Sequence, residues 1–330
     1  MNVADFNIAD LPGNSKAFDW LEVAGRADGG IWRLPLLYVT GKERGPTLVV
    51  IAGVHGDEYE GVETIPRVYQ QVNPAELRGR LAMVPVCNVP AYEVGTRSSP
   101  IDGLNLARVL PGDREGSITQ RIGYWVTEKL MLPADFFIDI HSGGVALNIP
   151  TSIYYFHTDN EIGRHTQRAA LAFGAPVVVG NTNPAQAIYG CSFRTAWDRQ
   201  IPALFTEAPG AGRVRPEDSD CFTTGVLNVM KYLGMMAGDP TPQPMTHHLI
   251  SDDQPGGSCT ATVAGYFRPT VQLMDAVQVG QRLGAVLDFS GAVLQECIAG
   301  RDGFITMLRG TPRVHVGDAV LSITGGVQVP

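Results

Sequence analysis

Thr47-Leu48-Val49-Val50-Ile51-Ala52-Gly53-Val54-His55-Gly56-Asp57-Glu58 is the stretch on which the fold is read. The apolar run 47–52 predicts a strand, the glycines after it a tight turn, and His55 and Glu58 two side chains of metal-ligating type. Neutral imidazole and carboxylate both donate well to zinc. A catalytic zinc takes three protein ligands and keeps a fourth position open, so a third ligand is needed further along the chain. Taken alone, a His-x-x-Glu spacing also arises by chance.

Outward from this stretch, short β-branched runs alternate with segments of helical period between about residues 30 and 235, the pattern of an α/β domain. The runs 48–52, 81–86, 136–140, 177–179 and 203–206 predict strands. Helices are predicted at 58–72, 118–132, 161–173 and 222–236; in the second, Ile118, Ile122, Val126 and Leu130 form one apolar stripe. Glycine, proline and polar residues crowd 238–257, which reads as a linker. Beyond it, apolar runs at 261–267, 283–287, 303–308 and 319–323 lie between glycine-containing turns and predict a small all-β module. The division expected is a hydrolase-sized α/β domain over 1–240 and a β module over 250–330.

Composition excludes several classes. Of 330 residues, 44% are hydrophobic and 18% charged, which describes a folded globular protein. A formal net charge of −8, with 25 lysines and arginines and no basic run, argues against nucleic acid as a partner. No apolar stretch has the length of a membrane helix and Met1-Asn2-Val3-Ala4-Asp5 is no signal sequence, so a soluble cytoplasmic protein is expected. The five cysteines at 87, 191, 221, 259 and 297 follow no metal or redox spacing and read as reduced thiols.

Three further places carry chemistry. Phe136-Phe137-Ile138-Asp139-Ile140-His141 delivers a histidine at a strand's carboxyl end, the edge where open α/β sheets bind ligands. Asp139 shares its face and can hold the free ring N–H; a turn histidine beside a strand-end aspartate is the plainer alternative. The Gly/Pro-rich loop 88–112 carries Arg97, Asn105 and Arg108, and long loops of this kind are more often functional than structural. Ala203-Leu204-Phe205-Thr206-Glu207 ends in a carboxylate, either a hydrated strand terminus or a catalytic base.

Gly-x-His-Gly-x-Glu at 53–58, the Asn/Arg loop at 88–112, Asp-x-His at 139–141 and Thr-Glu before Gly at 206–210, in this order, resemble the succinylglutamate desuccinylase and aspartoacylase family. Within it the chain is most similar to the bacterial N-acyl-diaminobutyrate deacetylase-type members. The resemblance implies a zinc carboxypeptidase-like mixed sheet flanked by helices, with a barrel-sandwich-like C-terminal module. It implies one Zn2+ per chain on His55, Glu58 and His141, and Glu207 as general base and acid. Arg97 would hold the oxyanion, while Arg108, with Asn105, would bind the substrate. The expected activity is hydrolysis of a linear amide by zinc-activated water, removing an acyl group from an N-acylated amine or amino-acid derivative. The rivals are a metallocarboxypeptidase and a non-catalytic zinc-containing binding protein. The expected partner is a small-molecule N-acyl substrate, with neither nucleic acid nor membrane, and a homo-oligomer is compatible with all of this.

One departure bears on the substrate. Where close relatives read Asn-Leu-Asn-Arg, this chain reads Asn105-Leu106-Ala107-Arg108. The C-terminal module resembles biotinyl and lipoyl carrier domains, but no lysine follows Lys231, which excludes a covalently carried cofactor. Among the other residues, His247-His248 reads as solvated, His165 as a surface residue and His315 as structural. His157 reads as a strand-end or substrate-facing residue. Tyr154, Tyr155 and Tyr189 read as pocket wall or core, and Gly143-Gly144 as a turn or a place of close substrate approach.

Overall fold

A computed structural model describes residues 1–251 and 255–325. Residues 252–254 of the sequence-read linker and 326–330 of the β module lie outside the described residues. Two strands not anticipated from sequence open the chain, β1 (Ser15–Gly25) and β2 (Ile31–Thr40), followed by β3 (Glu43–Ala52), helix α1 (Glu60–Gln71) and β4 (Arg78–Val84). The short helix α2 (Val89–Val94) and α3 (Ile118–Trp125) come next; α3 runs on as a π-helical turn, Val126–Met131, so the apolar stripe predicted at 118–132 stays continuous. Then follow β5 (Phe136–Ile140), β6 (Leu147–Asn148), β7 (Ser152–Phe156), α4 (Glu161–Phe173), β8 (Val177–Asn181), α5 (Ser192–Asp198), β9 (Ala203–Glu207) and α6 (Pro216–Tyr232). Helix α6 starts before the predicted 222 because Pro216 occupies its first turn with Glu217 and Asp218, residues that suit a helix N-terminus but carry no apolar period.

These strands, except β6, and β10 (His247–Ser251) form one nine-stranded mixed sheet in the order β1-β2-β4-β3-β5-β9-β7-β8-β10. Strands β4, β3, β5 and β9 are mutually parallel, and β7 reverses the direction beside β9. Strand β3 shows why its sequence is apolar without alternation: Val49 and Ile51 enter the core on one face, Leu48, Val50 and Ala52 the core on the other. Helices α1, α4 and α6 cover the second face through Ile65, Val68, Ala170, Phe173, Phe222 and Val226. The N-terminal segment, α3 and α5 cover the first.

Strand β10 corrects the linker reading. His247 to Ser251 pair in parallel with β8, and His248 is buried against Tyr155, whose hydroxyl lies 3.0 Å from His248 Nε2. His248 is therefore structural, not solvated, while His247 stays half-exposed with its ring edge-on to Phe304. His165 is half-buried, with Nδ1 3.0 Å from the Tyr232 hydroxyl, so it packs against α6 and is not a free surface residue.

The C-terminal strands are β11 (Ser258–Thr260), β12 (Gly265–Pro269), β13 (Ala276–Val277), β14 (Arg282–Leu287), β15 (Val293–Ile298), β16 (Gly303–Arg309), β17 (Arg313–Val314) and β18 (Ala319–Thr324). They form two antiparallel sheets, β11-β18-β16-β13 and β15-β14-β12-β17, over their own core of Phe267, Leu283, Val286, Ile305, Val320 and Leu321. Strand β6 of the larger unit joins the first of these sheets by pairing Leu147 with Arg309 and Asn148 with Leu308. The expected fold class, a mixed α/β sheet flanked by helices with an all-β module behind it, is the one observed.

Candidate metal centre and cavity

Three neighbouring parallel strands, β3, β5 and β9, deliver the chemistry at their carboxyl ends. After Ala52 the chain turns at Gly53, whose φ of +59° lies in the left-handed region that glycine enters without strain. Gly56 follows, where an added Cβ would lie 2.1 Å from the backbone carbon of Ala91; only hydrogen fits. Asn88 pins the same turn by donating its side-chain amide to the Val54 carbonyl. The turn thus puts His55 and Glu58 on one side, opposite His141 one strand away.

His55, Glu58 and His141 are all buried, and their ligand atoms lie within 4.8 Å of one another. Glu58 sits between the rings, its Oε1 2.7 Å from His55 Nδ1 and its Oε2 2.8 Å from His141 Nδ1. The opposite ring nitrogens are also held: His55 Nε2 lies 3.1 Å from Asn105 Oδ1, and His141 Nε2 2.9 Å from Asp139 Oδ2. Each ring can therefore keep its proton on Nε2 and present the Nδ1 lone pair inward, the arrangement that fixes a ligating tautomer. Two inward nitrogens and a carboxylate, buried and oriented from behind, fit a metal ion.

Asn105, a candidate substrate contact, has its amide oxygen committed to the His55 ring and to the Ala107 N–H of its own loop. Asp139 is held in turn by the Ser192 hydroxyl at the start of α5, a contact sequence reading missed because Ser192 lies 53 residues away with no motif around it. Asp57, inside the first motif, accepts from the Val145 N–H at 3.0 Å and packs on Gly144, where an added Cβ would lie 2.6 Å from its Oδ2. Gly143-Gly144 is thereby a packed turn, and neither glycine lines the cavity.

The electrostatics follow from burial and proximity. Burial opposes ionisation of Glu58, yet the two imidazoles outweigh it and hold its carboxyl well below the usual range. Burial pulls His141 down, but Asp139 and Glu58 on either side of the ring leave it well above the ordinary histidine value. For His55, with one carboxylate beside it, burial wins and the net shift is downward. Glu207 is pushed up to about 8, first by burial and then by Glu58. Its Oε2 is buried with no hydrogen-bond partner.

A cavity of about 360 Å³ opens beside this cluster, a size suited to a small molecule. Its lining brings together His55, His141, Glu207, Arg97 and Arg108 from the sequence reading. Arg97 donates from Nη1 to Glu58 Oε1 at 3.0 Å. Tyr154 is a wall residue, as are Phe193 and Phe205, whereas Tyr155, Tyr189 and His157 do not line the cavity. Cys191 does line it, but burial raises its thiol pKa, the opposite of an activated nucleophile.

Residues 44–233, which include every side chain of this cluster, match the succinylglutamate desuccinylase/aspartoacylase catalytic domain. The chain belongs to that family. It is 34% identical over 311 residues to the N-alpha-acetyl-L-2,4-diaminobutyric acid deacetylase of Halomonas elongata, covering 91% of this chain and 89% of that one. The succinylglutamate desuccinylase/aspartoacylase of Rhodobacter sphaeroides superposes with a TM-score of 0.87 at 29% identity, over 98% of each chain. A product-bound ectoine utilization protein of Ruegeria pomeroyi superposes at 0.85 and 26% identity, covering 95% of this chain and 96% of that one. A member of the desuccinylase/aspartoacylase family is an amide-hydrolysing enzyme, and the fold and the kind of reaction expected from the sequence both stand. No helix among the described residues is long and apolar enough to cross a membrane.

Proposed function

We propose that this desuccinylase/aspartoacylase family member is a zinc-dependent deacylase that removes an acyl group from an N-acylated amino-acid derivative. The observation that carries the reading is the meeting of His55, Glu58 and His141 with Glu207 and Arg97 around one small cavity. His55 and His141, through Nδ1, and Glu58, through its carboxylate, would hold the zinc. When bound, zinc supplies a Lewis acid and lowers the pKa of water to about 7.

The chain's own residues do the rest. Arg97 stays protonated and planar, so it can polarise the scissile carbonyl and stabilise the oxyanion. Glu207, raised to about 8 and without a partner for Oε2, is suited to take a proton near neutral pH and return it to the departing amine. Arg108 offers its guanidinium to a substrate carboxylate. Asn105 and Asp139 act as positioning residues through the two histidine rings. The cavity's modest volume and the deacetylase relative both support small N-acyl compounds over peptides.

Two measurements test this. Elemental analysis of protein purified without added metal should find about one zinc per chain, a content that His55→Ala abolishes. Glu207→Gln should keep the zinc and lose turnover of N-acetyl amino acids; full turnover in that variant would remove Glu207 from the reaction.

A further inference from the structure

The cavity is lopsided in charge. Its basic side chains are Arg97 and Arg108, and the one carboxylate on its wall is Glu207, already assigned to proton transfer. Arg97 is paired with Glu58. Arg108 donates from Nη1 to the carbonyl of Ala107 at 2.6 Å and has no carboxylate partner among the described residues. The remaining wall is neutral, with amides from Asn181, Asn183 and Gln186 and carbon from Ala107, Ile188 and Phe193.

An ammonium group taken from water into such a place needs a carboxylate, or several carbonyls aimed at it, to offset its lost hydration. This wall offers no spare carboxylate, and the Arg108 guanidinium, which no carboxylate among the described residues offsets, adds repulsion. A carboxylate, in contrast, meets Arg108 directly, and uncharged carbon meets the apolar side. The position of Ala107 sharpens the point. Its methyl replaces a side chain that could have offered an amide beside Arg108, so this part of the cavity contributes contact surface and no hydrogen bond.

We infer that the preferred substrate is an N-acyl amino acid whose carboxylate binds Arg108 and whose remaining carbon is uncharged and apolar, and that N-acyl diamines with a free ammonium are rejected. This rests on the deacylase reading above and separates the chain from the substrate in the name of its Halomonas elongata relative.

The decisive pair is N-acetyl-L-norvaline and Nα-acetyl-L-2,4-diaminobutyrate, nearly the same shape with a terminal methyl in one and an ammonium in the other. The zinc-containing enzyme should show kcat/KM about a hundredfold higher for norvaline, the scale of leaving a charged group without its partner. N-butylacetamide, which lacks the carboxylate, should fall by a comparable factor. Gln186→Glu is near-isosteric at an exposed position on the cavity wall and should narrow the norvaline preference about tenfold by supplying the missing carboxylate. Calorimetry of L-norvaline and L-2,4-diaminobutyrate binding to Glu207→Gln should give the same order without any turnover.

A series of N-acylglycines against N-acetyl amino acids of growing side chain locates the apolar contact, on the acyl or the amine side; a rise in either series supports the inference. Equal or better turnover of the diaminobutyrate compound overturns it and leaves the deacylase reading intact. Failure of the zinc-loaded protein to hydrolyse any N-acyl compound overturns both.

Discussion

Replacing Asp139 by asparagine keeps the shape of the residue behind His141 and removes its charge. In the native site Asp139 is buried at 1% exposure, accepts from His141 Nε2 at 2.9 Å and is itself held by Ser192. Loss of such an outer partner typically costs about 10- to 100-fold in metal affinity, roughly 1.4–2.8 kcal/mol at about 1.4 kcal/mol per decade. The structure adds a pH dependence to that figure. Asp139 is, after burial, the largest influence on His141 and pushes its pKa up, so metal binding to the native chain must displace a proton from the ring. In Asp139→Asn that upward push disappears, and the proton competes less. Native and variant affinities should therefore differ most above the native pKa of His141, where neither ring carries an extra proton. They should converge as pH falls through that value, because protonation takes metal from the native site before it does so from the variant. Zinc competition against a chromophoric chelator, run at several pH values on both proteins, measures the ratio directly. An unchanged affinity at high pH, or a ratio that grows as pH falls, would refute the role given to Asp139.

The same site should release protons when the metal-free protein takes up zinc at neutral pH, since His141 is held above its ordinary pKa; calorimetry in buffers of different ionisation enthalpy would reveal it, and buffer-independent heats would contradict it. Gly56→Ala places a Cβ 2.1 Å from the Ala91 backbone, so both zinc content and melting temperature should fall; stoichiometric zinc with an unchanged melting temperature would show that the turn can yield. Phe222→Ala, on the core-facing side of α6 and outside the cavity lining, should cost about 3–5 kcal/mol in urea unfolding while the folded fraction keeps its zinc.

Legibility from sequence tracked how local each determinant is. Strand β5 and helix α4 appear where the sequence places them, because β5 is buried throughout and α4 buries one regular stripe, Gly163, Thr166, Ala169, Ala170 and Phe173, and burial writes itself into the pattern. Strands β1 and β2 were missed: β1 is an edge strand that leaves Phe18 and Trp20 exposed, and β2 contains Pro35, so neither carries a clean alternation with strand-favouring residues throughout. Strand β10 is hidden by its proline-rich approach, and His248 reads as solvated because its partner Tyr155 is 93 residues away.

The division at the site has the same cause. His55 and Glu58 share one turn, His141 and Glu207 end strands, and Arg97 and Arg108 share one loop; a residue type at the end of an apolar run is a feature a chain displays without its fold. Family membership and the kind of chemistry follow from that order alone. Ring orientation, the commitment of Asn105 to His55, the brace of Ser192 on Asp139 and the neutral wall from 181–193 all depend on side chains brought together from distant segments. No local pattern records such contacts, because they are selected by packing across the sheet. The candidate ligands and the reaction type are thus legible in the linear chain, while the charge and shape of the cavity exist only once β3, β5, β9, β7 and β8 lie side by side.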